Sequence, residues 1–98
     1  MRFEWDPAKD RFDRERHGVS FDEAVELFRS GADTLEMYDE AHSADEDRFI
    51  AVGPIGRGVI VVVYTERDDD VLRIVSARMV TTNERRRYEE HEEAKHRR

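Results

Sequence analysis

Apolar residues fall in short clusters separated by charged stretches, and the spacing within each cluster points to an element. Residues 59–63 (Val-Ile-Val-Val-Val) form a β-branched run too short for an ordinary helix, which predicts a buried strand. Asp68, Asp69 and Asp70 supply turn chemistry, so the run beginning at Val71 folds back as the second arm of a hairpin. Upstream, Leu35 and Met37 alternate with Thr34, Glu36 and Tyr38, the pattern of a half-buried strand. Residues 48–53 predict another strand, connected to the valine run through Pro54, Gly56 and Gly58. Residues 2–5, with Phe3 and Trp5 on one side, read as a short edge strand.

Helical punctuation is equally clear. Asp6-Pro7 opens a helix that Gly18 stops after His17; Phe12 is its only large apolar side chain and the expected pin. Ser20 and Glu23 form a capping box for a second helix, whose buried stripe is Ala24, Val25, Leu27 and Phe28 and whose stop is Gly31. The two make an αα-hairpin. Thr81 and Glu84 cap a third helix reaching about Ala94, with almost no apolar stripe beyond Tyr88. The expected architecture is α+β: two N-terminal helices and a C-terminal helix packed on an antiparallel sheet of three to four strands. Residues 1–98 form one domain, with residues 95–98 frayed.

Composition narrows the classes. Charged residues make up 42% of the chain, against roughly 25% in ordinary soluble proteins. No apolar run approaches the ~20 residues of a membrane span, and the N-terminus lacks a signal-peptide core. With no cysteine there are neither disulfides nor thiolate metal sites, and a cytoplasmic protein is the default expectation. The net charge of −7 works against a polyanionic partner, but the charge is unevenly spread. The first 47 residues hold six Lys/Arg against fifteen Asp/Glu, whereas residues 48–88 hold eight against five. A local basic surface on an acidic body results.

The candidate chemistry lies in that basic segment. Arginine grips phosphate through its planar fork of donors, and Arg67, Arg78 and then Arg48 are the leading candidates. Against this, Arg67 could simply pair with Asp68 to Asp70 on the surface. Strand alternation places Arg78 on the face of Leu72 and Ile74, where an unpaired guanidinium needs a reason. Glu66 is a possible base, although it and Arg67 point to opposite faces unless a bulge intervenes. His42, in the polar loop 39–47, belongs to the residue type best suited to acid–base work near neutrality, yet most loop histidines are plain surface residues. His17 is accounted for by the helix dipole, Tyr64 by core packing, and His91 with His96 makes no convincing metal pair. No phosphate-cradling glycine loop, serine triad or zinc motif is present.

Four blocks then carry a resemblance covering most of the chain: Phe3-Glu4-Trp5-Asp6-Pro7-Ala8-Lys9, His17-Gly18-Val19-Ser20-Phe21-Asp22-Glu23-Ala24, Ser76-Ala77-Arg78, and Glu84-Arg85-Arg86-Arg87-Tyr88. Together they resemble the BrnT family of type II toxin–antitoxin toxins, which are similar in fold to RelE-type ribonucleases. The resemblance implies metal-independent RNA cleavage that arrests translation, with no cofactor. It also implies a BrnA-like ribbon-helix-helix antitoxin as partner in a hetero-oligomer, which reaches operator DNA only through the antitoxin and represses its own operon. Lys9 and Tyr88 match family blocks and, with Arg48 and Arg85, become the expected RNA-binding set beside catalytic Arg67, Arg78, Glu66 and His42. The chain departs from the family pattern at Asp13 (usually Asn), at Arg16 (usually Lys), and at Thr82 and Asn83, near which basic residues usually stand. The rival expectations are an inactive antitoxin-binding module that only regulates its operon, and a non-toxin RNA- or ribosome-binding domain.

Overall fold

In chain order the elements are β1 (Arg2–Glu4), α1 (Pro7–His17), α2 (Phe21–Arg29), β2 (Leu35–Tyr38), β3 (Phe49–Ile55), β4 (Gly58–Arg67), β5 (Val71–Met79) and α3 (Thr82–His96). They come from a computed structural model that describes residues 1–96. The valine run sits at the centre, as its two-sided hydrophobicity requires, in a sheet ordered β1-β5-β4-β3-β2. The antiparallel sheet of three to four strands expected from the pattern is instead a mixed sheet of five. β1 lies parallel to β5, with Arg2 opposite Val71 and Glu4 opposite Arg73. That pairing joins segments far apart in the chain, so no local pattern announces it. Asp69 and Asp70 take left-handed backbone angles (φ 63° and 60°) at the β4–β5 turn, a conformation aspartate tolerates better than most residues.

The two faces of the sheet are filled differently. On one, Val19, Phe21, Ala24 and Leu27 from the helical hairpin meet Ile60, Val62, Tyr64, Leu72, Ile74 and Ala77. On the other, Tyr88 of α3 covers Val52, Val59 and Val61. One irregularity decides which side chains reach which face. Val63 pairs with Ser76 and Tyr64 with Ile74, so Val75 is an extra, unpaired residue: a β-bulge. Regular alternation would put Arg78 with Leu72 and Ile74. The bulge shifts the phase, Ala77 joins the helix-side core, and Arg78 turns to the α3 face.

Helix α1 is not pinned by Phe12, which is 51% exposed with the Lys9 and Arg16 cations 5.3 and 5.8 Å from its ring centroid. Its anchor is Asp13, wholly buried. β1 ends opposite Arg73, leaving the outer edge of β5 without a strand partner further on, and Asp13 Oδ2 accepts the Ala77 N–H there at 2.9 Å. A side chain thus continues what the short edge strand began. Both expected capping boxes form: Ser20 with Glu23, and Thr81 with Glu84. Arg57, in the β3–β4 turn, bonds Glu23 and the Gly18 carbonyl; this guanidinium is the main reason the Glu23 carboxyl lies below its usual range. Lys95 and His96 continue α3, with Lys95 Nζ 3.7 Å from Asp33; the rest of the expected frayed end, residues 97–98, lies outside the described residues. No helix among the described residues is long and apolar enough to cross a membrane.

Close approach of α2 to β3 rests on one glycine. A Cβ at Gly53 would stand 2.6 Å from Leu27 Cδ1 and 2.8 Å from Thr34 Cγ2. Gly53→Ala is therefore expected to cost about 1–3 kcal/mol through overpacking, measured as a lower urea midpoint at unchanged slope.

Candidate functional site

Tyr88 is the only residue of α3 buried against the sheet, so the helix leaves much of that face uncovered. What remains is a groove of about 600 Å³. Its floor is apolar, from Met37, Ile50, Val61, Val63 and Val75, and no phenylalanine, tyrosine or tryptophan lines the groove among the described residues. Its rim gathers side chains from five places: Lys9 of α1, Asp39 and His42 of the loop after β2, Arg48 ahead of β3, Arg78 of β5, and Glu84 with Arg87 of α3. Five of these seven are basic residue types.

Each rim group is held differently. Arg78 makes a bidentate pair with Glu84, Nη1 to Oε1 at 2.7 Å and Nη2 to Oε2 at 2.8 Å. Glu84 also accepts the Thr81 N–H in its capping box, and Arg78 is the principal cause that brings its carboxyl down to about 2. The pair fastens the start of α3 to β5, so Arg78 is already partly neutralised. A short 3-10 turn (Glu40–His42) brings His42 Nδ1 to 3.1–3.2 Å from the Asp39 carboxylate. Because a carboxylate only accepts, Nδ1 carries a proton in this contact, and in the neutral ring that makes Nε2 the acceptor. Arg48 and Arg87 make no ion pair among the described residues, and Arg48 Nε is buried without any hydrogen-bond acceptor. A buried donor of that kind is rare in native structures.

Of the expected site residues, Lys9, His42, Arg48 and Arg78 converge in this groove. The others do not. Arg67 and Glu66 line a separate shallow hollow at the other end of β4, where Arg67 lies 3.4 Å from Glu46 and 4.0 Å from Glu4. Its ion-pair partners are thus Glu46 and Glu4 rather than Asp68 to Asp70, although Asp68 lines the same hollow. Arg85 points away from the groove, 3.9 Å from Glu89. Tyr88 is 8% exposed and its hydroxyl donates to the Asp33 carbonyl at 3.1 Å, which makes it an anchor of α3. Tyr64 packs between Phe28 and Phe49 in the opposite core, where burial pushes its phenol up to about 12. Asp33, Glu92 and His96 bring one ligand atom each within 4.8 Å, but Asp33 already faces Lys95 and His96 faces Glu92.

Three rim residues lie outside the expected set: Glu84, expected only as a helix cap, Arg87 and Asp39. Arg87 was visible only inside its basic block; its position one turn after Glu84 is the signal that it shares the sheet-facing side of α3. Asp39 stands three residues before His42, a spacing that carries meaning only once the 3-10 turn is known.

A mixed five-stranded sheet, with a helical hairpin on one face and a groove rimmed mainly by basic residues under the last helix on the other, defines a small α+β protein. A sequence profile described as "Ribonuclease toxin, BrnT, of type II toxin-antitoxin system" matches residues 5–84. The chain belongs to the BrnT family of type II toxin–antitoxin toxins. It is similar in fold to the 1.1 Å crystal structure of the Brucella abortus ribonuclease toxin BrnT, with TM-score 0.61 and 22% identity over 84% of this chain and 99% of that one. No curated protein sequence matches the chain. Family membership implies an antitoxin protein as partner and RNA as substrate.

The Arg78–Glu84 pair makes stability depend on acid. Glu84 titrates below its ordinary value of 4.5, so its contribution is complete above that pH and is lost as pH falls towards about 2. Glu84→Gln is expected to cost about 1 kcal/mol at neutral pH, since both partners are part-exposed and screened. The gap between variant and parent should close as the pH of the urea titrations is lowered from 4.5 to 2.

Proposed function

We propose that this chain is a metal-independent endoribonuclease of RelE-like type that cleaves RNA in the groove beneath α3 to arrest translation. The observation that carries the reading is Arg48, whose guanidinium has a buried, unpartnered Nε and lines the same groove as Arg87, which makes no ion pair among the described residues. Such donors, over an otherwise apolar floor, match the non-bridging oxygens of a phosphodiester. The donor set supports metal independence, because the two rim carboxylates are committed to His42 and Arg78 and the rest of the rim is lysine, histidine and arginine.

In this reading His42, oriented by Asp39, accepts the 2′-hydroxyl proton through Nε2. The 2′ oxygen bonds to phosphorus as the P–O5′ bond breaks, and the departing 5′ oxygen takes a proton from water. Lys9, Arg48 and Arg87 bind the phosphate and take up the charge that builds on it. Arg78 mainly braces α3 as the groove wall. A BrnA-like ribbon-helix-helix antitoxin silences the chain in a cytoplasmic hetero-oligomer, which contacts operator DNA through the antitoxin.

The closed Arg78–Glu84 pair favours a second reading, an inactive module that only binds antitoxin. Purified chain incubated with RNA in EDTA separates the two. The nuclease reading expects fragments ending in 2′,3′-cyclic phosphate, a kcat lowered about 10²–10⁴-fold by His42→Ala, and an RNA-affinity salt slope equivalent to about three phosphate contacts that Arg48→Ala reduces by about one. Intact RNA, together with unimpaired growth of bacteria expressing the lone chain, would leave only the module.

A further inference from the structure

Asp13 is the one buried charged side chain among the described residues, and the chemistry above does not use it. Burying a carboxylate is costly unless its oxygens are paired. Here they are divided between two tasks: Oδ2 accepts the Ala77 N–H at 2.9 Å, and Oδ1 accepts from the Lys9 ammonium one helical turn back. The first task needs no charge, since any neutral oxygen acceptor would satisfy a backbone N–H. The charge is matched by the second. Lys9 is 41% exposed and lies on the groove lip with Ser76 and Arg78. Its long, flexible side chain would otherwise sample many rotamers, and ordering them at the moment of binding weakens recognition. The same carboxylate is bonded to the residue preceding Arg78, so the Lys9 ammonium is registered against β5 itself rather than against a mobile surface.

We propose that Asp13 is a positioning residue for RNA cleavage, holding the Lys9 ammonium on the groove lip before the phosphate arrives; this rests on the groove being the RNA site. An asparagine, which the family pattern usually carries at this position, keeps a neutral oxygen for the Ala77 N–H but withdraws the negative charge that holds the Lys9 ammonium in this chain, so it separates the two tasks.

The experiment is a cycle of Asp13→Asn, Lys9→Met and the double variant, read by RNA cleavage, by Tm, and by NMR of the Lys9 side-chain ammonium. Asp13→Asn is expected to keep its Tm within a few degrees, to lower kcat/KM about tenfold, and to lose the slowly exchanging Lys9 ammonium signal. Lys9→Met should show a similar loss, and the double variant should be no worse than either single one, because both remove one contact. Full cleavage by Asp13→Asn or by Lys9→Met, or losses that multiply in the double variant, would overturn the inference while leaving the nuclease reading intact. A parent chain that neither binds nor cleaves RNA would remove that reading and this inference with it. Should Asp13→Asn fail to fold, the Lys9→Met result and the parent's ammonium signal still decide: an inert substitution or a freely exchanging ammonium defeats the proposal.

Discussion

The free half-edge of β5 is the constraint on which the rest of this structure depends. β1 is three residues long and stops opposite Arg73, so the last part of the neighbouring strand would expose unpaired backbone donors. Helix α1 crosses that gap and Asp13 takes the Ala77 N–H from the side. One residue earlier than Ser76, the bulge at Val75 bends the strand and inverts its alternation. The two features act on the same stretch. The first seats α1 against the sheet and brings Lys9 with it; the second sends Arg78 to the face where Lys9 arrives.

The asymmetry of the two sheet faces follows. The helical hairpin brings a continuous apolar stripe and closes one face completely, with Phe21, Leu27, Ile60 and Ile74 essentially without exposure. α3 brings one aromatic ring. It is held by few ties, chiefly the Tyr88 hydroxyl on the Asp33 carbonyl and the Arg78–Glu84 fork, and the area it fails to cover is the groove. A more apolar last helix would have stabilised the fold and filled the site. The weak amphipathicity of α3 is thus the condition for an open apolar floor under a mainly basic rim.

Charge works locally here. The chain carries −7 overall, which disfavours long-range attraction of a polyanion, while the groove gathers lysine, histidine and arginine within a few side-chain lengths. Many of the acids are spent elsewhere: on helix caps, on Arg57, on Arg67, and on fixing His42 and Lys9. Such an arrangement binds phosphate by contact rather than by capture at a distance.

Local chemistry in the sequence determined the elements themselves. The β-branched run, the Asp6-Pro7 start, the two capping boxes and the acid-rich β4–β5 turn each depend on neighbours within a few residues, and each formed as its residues required. The BrnT-like blocks were readable for the same reason, being contiguous. Tertiary structure alone decided the parallel partner of β1, the replacement of Phe12 by buried Asp13 as the anchor of α1, the face presented by Arg78, and the separation of Arg67 and Glu66 from the groove. All four turn on contacts between distant segments or on one extra residue in a strand. Period-two alternation carries a side chain's direction only as far as the next bulge, and past Val75 only the paired neighbour, Val63 opposite Ser76, fixes which way the chain faces.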